Sequence, residues 1–577
     1  MEKFSNIPIL SRKQFLDTLL VLINAELADS ICGVVDGIVV GRYLGADAIA
    51  AHGIAAPIFA VMSIFIYMIT ASFQQPCTVC IGRGERKKAN GLYSATVLLA
   101  LVLSALIAVS GLLFPHGIAS LLGARGTGPI NNIAADYLQA AFLGTPALML
   151  FLVLIPVLQI EGKRRLIHIG SIVMGVSDIA FDFLNVKILH WGMFGIGLAT
   201  TISYSLGLLV LLTYYFNKNR LFHFSLKDIR GIGGWHMALM GLPTGVRMGA
   251  FSLAIVILNT FMMSQSGPSG MAALSVQQNL SSLLMAVVVG LSGTTLLLTG
   301  VSFGEQDRRG LMDIVRMSAH YCILPMSILS VLVLDLARPL ISLYLNPDEA
   351  AFPLAVDALR WLAASFPFMG WSRCVGSYLQ GIEKNIQAAI LFLMEEMVLL
   401  LLCAVILGKV WGIQGVFASF AISQILSIVL INIQAFLFRD RKYRGMEAFL
   451  GVSHEYGIPP EDRLVRTITA REEVWGLAGD ALMFCEEHGI PREKAQSAFL
   501  YIEEMGKIIM LHGFRDGKPH HLEVRMSLYH GEVILRFRDD CRRFDIREKA
   551  AQWKAIRGCK ILKYNNSLKT NNLLVVL

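Results

Sequence analysis

A stretch without charged residues decides the class of this protein: residues 248–304 read MGAFSLAIVILNTFMMSQSGPSGMAALSVQQNLSSLLMAVVVGLSGTTLLLTGVSFG and contain no Asp, Glu, Lys or Arg. A helix that crosses a membrane needs about 20 apolar residues, so this stretch is long enough for two such helices. Residues 264–268 (SQSGP) carry turn-forming types and predict the break between them. Residues 48–82 and 410–438 are also free of charged residues, which extends the pattern over the chain.

The overall composition leads to the same class. Of the 577 residues, 55% are hydrophobic and 16% are charged, and the mean hydropathy is +0.59. Soluble domains carry about a quarter of charged residues, so the composition argues against an ordinary cytosolic enzyme. It also excludes collagenous, disulfide-stapled and disordered chains. We expect an all-α polytopic membrane protein with twelve transmembrane helices, followed by a soluble α/β domain; the helices are predicted near residues 15–40, 48–76, 91–115, 132–160, 166–188, 193–216, 237–263, 271–302, 314–336, 352–380, 386–408 and 412–438.

Positive charges cluster in alternate connections between the apolar segments. The net charge is +8, but Lys and Arg gather in short groups such as 83–88 and 163–165, and the connections between those groups hold few. This alternation follows the positive-inside rule. It predicts a multi-pass protein of the plasma (inner) membrane with both termini in the cytoplasm, and it argues against a nucleic-acid partner.

The membrane part repeats itself at an offset of about 222 residues. Residues 49–54 (IAAHGI) align with 271–276 (MAALSV), and the same offset places 82–87 (GRGERK) on 304–309 (GEQDRR). Two repeats of six helices each have the same orientation, an arrangement that transporters use to flank a site at the membrane midplane. We therefore expect an N-lobe (1–222), a C-lobe (223–440), a basic linker (441–454) and a cytoplasmic domain, here called the tail (455–577).

Acidic residues within the apolar segments are the first functional candidates, because a charge in hydrocarbon costs several kcal/mol. Asp36 lies near the outer end of the first helix, and Glu26 and Asp29 share nearly the same face and are candidates for lining a cavity. Asp178 and Asp182 are four residues apart on the fifth helix, where neighbouring acids repel each other and favour the uptake of a cation. Such a group can exchange H⁺ or hold Na⁺. The alternative is that the acids near helix ends are simply solvated.

Four segments of the N-terminal half carry a family resemblance: Val35-Asp36, 39–45 (VVGRYLG), 50–53 (AAHG) and 192–200 (GMFGIGLAT). With the duplicated twelve-helix layout, they resemble the MATE (multidrug and toxic compound extrusion) family of secondary transporters, over about residues 10–440. The resemblance implies an antiporter that couples entry of H⁺ or Na⁺ to export of drugs or other amphipathic or cationic small molecules by alternating access.

The same resemblance implies roles for individual residues. Asp36 would belong to a cation-binding cavity of the N-lobe, and Thr200 would supply a hydroxyl near that cavity. Asp178 and Asp182 match an Asn-x-x-x-Asp pattern on the fifth helix, except that residue 178 is Asp. The site is therefore more acidic than the family pattern, and the choice between H⁺ and Na⁺ stays open. No other cofactor is expected in the membrane part.

The C-lobe has charged candidates of its own. Some members of the family use acids on the seventh and tenth helices, whereas this chain has Arg247 and Arg373 there. The eleventh helix carries Glu395 and Glu396 near its centre. We expect one of these acids to line a C-lobe cavity or to pair with Arg373 or Arg247. The alternative is a buried pair with a purely structural role.

Two segments of the tail, 503–505 (EEM) followed by 512–514 (HGF), and 538–545 (RDDCRRFD), resemble the anti-sigma-factor serine-kinase branch of GHKL-type ATP-binding domains. The resemblance implies an α/β sandwich in which Glu504 is the base-like acid and Asp539 contacts adenine. Three departures argue against catalysis: Ile508 or Lys507 replaces the Mg²⁺-holding Asn, Cys541 replaces a loop glycine, and no glycine-rich lid is recognisable. We expect a regulatory module that binds a cytoplasmic protein or, alternatively, ATP without turnover.

Three functions fit these patterns. The first is the cation-coupled exporter with a degenerate regulatory domain; the chain contains no phosphate-binding Gly-Lys-Ser/Thr loop, which argues against an ATP-driven pump. The second is a flippase for lipid-linked saccharides, which a wide cationic cavity around Arg247 and Arg373 would favour. The third is a membrane-anchored signalling protein with a vestigial transport core, against which the acids at 36, 178 and 182 argue.

Overall fold

The computed structural model describes residues 7–122, 124, 129–217, 220–438, 440, 445–453, 455–459, 461–514, 519–529, 531–542 and 559–577. Residues 441–444 of the predicted linker lie outside the described residues. The same holds for the end of the predicted adenine-contacting loop, 543–545. The described part consists of a large helical body and a smaller C-terminal unit with a sheet.

Long apolar helices build the membrane body. Among the described helices, nine are long and apolar enough to cross a membrane, and a bent pair, Ile130–Leu143 and Thr145–Ile160, makes a tenth span if it is counted as one. This confirms a polytopic, mostly helical membrane protein. The predicted spans 166–188 and 352–380 are helical but are not among those ten. The N-lobe contains α1 (Ile9–Val39), α2 (Ala46–Gly82), α3 (Arg86–Leu113), α4 (Pro115–Leu121), α5 (Pro129–Leu143), α6 (Thr145–Ile160), α7 (Arg164–Leu184) and α8 (Gly192–Leu212).

The C-lobe begins with a helix that is broken where the sequence predicts it. The helix α9 (Gly234–Gly304) changes direction at Gly267, whose φ of 61° lies in the left-handed region that glycine adopts without strain. The other helices of this lobe are α10 (Arg308–Ile341), α11 (Ala351–Gly381), α12 (Asn385–Leu393), α13 (Leu399–Trp411) and α14 (Ile413–Phe438).

Three π-helical turns interrupt or extend these helices. Val40–Leu44 follows α1, Asn185–Leu189 follows α7, and Met394–Val398 joins α12 to α13. The last of them contains both Glu395 and Glu396. Such turns are rare and are often found at functional sites, because the extra residue re-aims the side chains around it.

The two lobes touch at one end of the membrane body. Gly82 at the end of α2 faces Gly304 at the end of α9 so closely that a Cβ on Gly304 would meet the carbonyl oxygen of Val79. Only glycine permits this approach of two backbones. The connections 83–85, 161–163 and 305–307 lie at this end, which we call the tail-side face because the tail packs against it.

The tail forms one antiparallel five-stranded sheet covered on one face by two helices. Its strands have the order β1-β2-β3-β5-β4. The sequence predicts tail helices over residues 471–488 and from 491 to about 511, and strands over 521–527 and 533–538. They correspond to α15 (Glu473–Glu487), α16 (Arg492–Gly513), β2 (Leu522–Tyr529) and β3 (Glu532–Asp539). The sequence-based prediction missed three further strands, because their apolar and polar residues alternate poorly: β1 (Arg463–Ile468), β4 (Ile561–Ser567) and β5 (Thr570–Val576).

Candidate functional site

Three carboxyl groups meet inside the N-lobe. Asp36 comes from α1, and Asp178 and Asp182 come from successive turns of α7. One oxygen atom from each of the three lies within 4.8 Å of the others. Asp178 and Asp182 are buried, with 1% and 0% of their surface exposed, and Asp36 is half-buried. We call these three residues the carboxylate cluster.

The carboxylate cluster has open oxygen atoms, and no Lys or Arg among the described residues forms an ion pair with it. Ser203 Oγ on α8 donates a hydrogen bond of 2.8 Å to Asp178 Oδ1. Four buried oxygens receive no hydrogen bond from the described residues: Asp36 Oδ1, Asp178 Oδ2 and both oxygens of Asp182. Three ionised carboxylates this close in a low dielectric repel strongly. The cluster is therefore suited to take up protons or to ligate a cation through oxygen.

The other N-lobe candidates lie around this cluster without joining it. Asp29 accepts a hydrogen bond from the hydroxyl of Tyr204 on α8. The Thr200 hydroxyl donates to the carbonyl oxygen of Ile196 at 3.4 Å, within its own helix. The serine that does contact the cluster, Ser203, was not singled out from the sequence, since serines are common in these helices and nothing in the pattern distinguishes it.

A central cavity of about 110 Å³ lies between the lobes, towards the tail-side face. Glu26 and Tyr67 line it from the N-lobe, and Thr244, Arg247 and Gln380 line it from the C-lobe. The hydroxyl of Thr244 donates to Gln380 Oε1 at 3.2 Å. Glu26 thus faces a different space from Asp36, although both belong to α1.

A larger cavity of about 320 Å³, the C-lobe cavity, shares Arg247 and Arg373 with the central one. The π turn aims Glu395 and Glu396 at the same guanidinium: Arg373 Nε lies 3.2 Å from Glu395 Oε1, and Arg373 Nη2 pairs with Glu396. Ser372 Oγ donates a further hydrogen bond of 2.7 Å to Glu395. Unlike the carboxylate cluster, this acid pair has a built-in positive charge.

The two tail residues predicted at a nucleotide site, Glu504 and Asp539, have different surroundings. Glu504 is half-buried on α16, while its neighbour Glu503 pairs with Lys507 one turn away. Asp539 is buried and accepts hydrogen bonds from Asn571 Nδ2 at 2.8 Å and from the backbone N–H of Cys541 at 3.1 Å. Burial raises the pKa of Asp539 to about 6.

The sheet of the tail binds the C-lobe through ion pairs. The connection between α9 and α10 supplies Glu305 and Asp307. Asp307 pairs with both Arg463 on β1 and Arg525 on β2, and Glu305 accepts hydrogen bonds from Arg538 Nη2 at 2.8 and 3.0 Å. These arginines occupy the sheet face opposite α15 and α16, so the whole uncovered face of the sheet points at the membrane body.

Glu305 and Asp307 also reduce the repulsion between neighbouring arginines of the sheet. Arg525 and Arg536 stand directly opposite each other on β2 and β3, and Arg536 also reaches Glu305 at 3.3 Å. Like charges in that position destabilise a sheet unless an acid separates them. Burial alone would raise the pKa of the Asp307 carboxyl, but Arg463 and Arg525 outweigh it and hold this pKa well below its usual range. The pKa of Glu305 is likewise lowered against its burial, chiefly by Arg538.

The tail also binds the N-lobe. The backbone N–H of Leu568 donates to the carbonyl oxygen of Ile160, at the end of α6, with 2.7 Å between N and O. Lys13 Nζ on α1 lies 2.8 Å from Asp540 Oδ2. Leu568 is 4% exposed and packs into the apolar core of the membrane body. The sheet therefore bridges the two lobes at the tail-side face.

A family model described as MatE matches residues 22–184 and 243–408, so that its two matches begin at nearly the offset of the internal repeat. The multidrug export protein MepA of Staphylococcus haemolyticus is 23% identical over 418 residues, covering 72% of this chain and 91% of that protein. The probable multidrug resistance protein YoeA of Bacillus subtilis is 23% identical over 343 residues, covering 57% and 73%. The outward-facing structure of a multidrug resistance MATE family transporter of the MOP superfamily superposes with a TM-score of 0.68 and 18% identity, covering 73% of this chain and 94% of that one.

Proposed function

Because this chain belongs to the MatE family of multidrug efflux transporters and is not an enzyme, we propose that it exports amphipathic or cationic small molecules, drugs among them, in exchange for H⁺ or Na⁺. The observation that carries the coupling proposal is the carboxylate cluster. Its three acids come from two helices, lie within 4.8 Å of one another and leave four oxygens open. In this proposal the cluster accepts the cation from outside, and the lobes then rock to release it inside.

The coupling proposal is tested with purified protein in liposomes. Uptake of a fluorescent organic cation is measured under an imposed pH or Na⁺ gradient. We expect Asp36→Asn to reduce gradient-driven transport to background, because the amide lacks the negative charge that holds the cation. The matched control is Asp47→Asn, which removes an exposed aspartate of the same lobe at the start of α2 and should leave transport unchanged.

The outcomes also separate the alternatives. Full gradient-driven transport by Asp36→Asn would remove the coupling role of the cluster. Translocation of a lipid-linked saccharide without gradient dependence would support the flippase. A wild-type protein that transports neither kind of cargo would support the signalling protein with a vestigial core.

We further propose that the tail is a regulatory domain that restrains transport by holding the lobes together. Support comes from its contacts with both lobes at the tail-side face, where α2 and α9 already meet. Alternating access requires this face to open, so the contacts of the tail with one of the two lobes, those of Glu305 and Asp307 or those of Ile160 and Lys13, must break in each cycle. A cytoplasmic protein that binds the tail would relieve the restraint. The hydrogen bonds that occupy Asp539 favour this protein ligand over ATP.

The double substitution Glu305→Gln with Asp307→Asn tests the restraint. It removes the acids that bind the sheet, so we expect faster transport and faster tryptic cleavage of the tail. Glu85→Gln is the control, because Glu85 occupies the repeat position equivalent to Asp307 but pairs with Lys88 of its own lobe. Release of the tail with unchanged or slower transport would show that the tail does not restrain the lobes.

A further inference from the structure

Arg247 lies where the central cavity and the C-lobe cavity meet. It belongs to the first half of α9, is half-buried, and lines both cavities. Its guanidinium carbon lies 5.9 Å from the centroid of the Phe392 ring. Within the part of the chain that the structure describes, Arg247 makes no hydrogen bond and no ion pair. It is thus a cation whose donors are open to a cavity.

The nearby acids are engaged elsewhere. Glu395 and Glu396 both pair with Arg373, and Glu395 also accepts a hydrogen bond from Ser372. Glu26 lines the central cavity from the opposite lobe without forming an ion pair with Arg247. Two arginines therefore stand side by side with different roles: Arg373 holds the acid pair together, whereas Arg247 remains available.

A guanidinium without an ion-pair partner inside a membrane protein costs free energy, because a charge removed from bulk water needs a counter-charge. Its planar fork of N–H donors matches an oxyanion, which it can bind through two parallel hydrogen bonds. The walls beside it are apolar and adaptable, with Met248, Phe251 and Met285 lining the C-lobe cavity. At about 320 Å³, this cavity lies in the size range of small-molecule sites.

We propose that Arg247 anchors an oxyanion of the cargo, a carboxylate, sulfonate or phosphate, while the apolar part of the cargo occupies the C-lobe cavity. The inference rests on the proposed export function and narrows its cargo class to amphipathic molecules with an anionic group. The carboxylate cluster lines neither of these cavities. Uptake of the coupling cation therefore acts on the cargo through the movement of the lobes, and the charge next to Arg247 stays the same.

The experiment compares three fluorescent probes on the purified full-length protein in detergent. Dansyl-undecanoate carries a carboxylate, its methyl ester is neutral, and a dansyl-alkyl trimethylammonium of the same chain length is cationic. For each protein the measured quantity is the ratio of dissociation constants between probes. This ratio does not depend on the fraction of active protein, so a variant that folds poorly is still informative.

In the wild type we expect the carboxylate to bind about tenfold more tightly than the ester, as suits a charge-assisted pair. Arg247→Gln should remove this preference while the ester binds as before, and Arg247→Lys should keep part of it because the charge is retained. Arg360→Gln, which removes an exposed arginine of α11, is the control and should behave as the wild type.

Two results would overturn the inference. One is a wild type that binds the ammonium or the ester as tightly as the carboxylate. The other is an Arg247→Gln variant that loses affinity for all three probes equally, since Arg247 would then only shape the cavity. Neither result contradicts the coupling proposal, because the assay measures binding of the probes without an ion gradient. Conversely, Asp36→Asn with full transport would refute coupling and leave the probe ratios to decide the role of Arg247.

Discussion

The two lobes hold buried acids in opposite electrostatic settings. In the N-lobe, Asp36, Asp178 and Asp182 approach within 4.8 Å of each other and no described cation contacts them. In the C-lobe, Glu395 and Glu396 are also buried, but they pair with the guanidinium of Arg373. Both groups lie on helices with π turns, and both come from a repeated architecture.

Burial alone therefore does not make an acid suitable for ion coupling. Acids with an internal counter-charge have little need of an external cation. Acids without one have to obtain the charge from solution, which links their occupancy to the ion gradient. This contrast supports the proposal that the carboxylate cluster, and not the pair Glu395 and Glu396, exchanges the coupling ion. Four predictions test it, in order of decreasing effect.

The largest effect is expected from Arg373→Gln. The substitution leaves two buried glutamates without their cation, which costs about 3–5 kcal/mol of stability for a broken buried pair. We expect a strongly lowered Tm in thermal unfolding of the purified protein followed by size-exclusion chromatography. Arg360→Gln serves as control. An unchanged Tm would mean that the glutamates of the C-lobe do not depend on Arg373.

The second effect is stabilisation by the coupling cation. The bulky organic cation of the buffer is replaced by Na⁺ at neutral pH. We expect the Tm of the wild type to rise, because Na⁺ fits a site made only of oxygen atoms. A Na⁺ concentration one hundred times Kd adds about 2.7 kcal/mol to the free energy of unfolding. Asp178→Asn should abolish this shift and Glu395→Gln should retain it. A shift that is lost in Glu395→Gln instead would reverse the assignment of the two lobes. No Na⁺ shift in the wild type would leave H⁺ as the coupling ion.

The third test compares single neutralisations in the two lobes. Glu396→Gln weakens an ion pair and should cost about 1–3 kcal/mol of stability. Asp182→Asn relieves repulsion among three acids and supplies an amide donor, so it should leave the Tm unchanged or raise it. Both are read from the same unfolding experiment. Equal losses of stability in both variants would contradict the difference between the settings.

The smallest expected effect is the pH dependence of the ion pairs that Glu305 and Asp307 form with the arginines of the tail. Arginines lower the pKa of Glu305 and Asp307 in the folded protein. Their contribution is therefore complete above the unfolded pKa values, near 4, and is lost as the pH falls through the lower folded values. We expect faster hydrogen exchange in β2 and β3 on acidification, after correction for the intrinsic rates. Glu305→Gln with Asp307→Asn should show no such change between neutral and acidic pH.

Part of the site can be predicted from the sequence because charged side chains contrast with the apolar helices that carry them. A carboxylate within an apolar helix is conspicuous, so the sequence alone identifies Asp36, Asp178 and Asp182 as candidates. Ser203 was not, because a serine satisfies its hydroxyl within its own helix almost anywhere. The pairing of both glutamates with Arg373 instead of Arg247 also needed the structure, since it depends on how the π turn rotates Glu395 and Glu396 towards α11.

The amino-acid sequence is enough to predict the membrane class, the helical body, the internal repeat and the break at Gly267, because hydrophobic length and glycine conformation are local properties of the chain. Which charges find partners depends on the tertiary structure. The sequence identifies no partner for Arg463, Arg525 or Arg538, yet they bind Glu305 and Asp307 more than 150 residues away. The energy of a charge depends on everything packed around it, and that environment is assembled from distant segments.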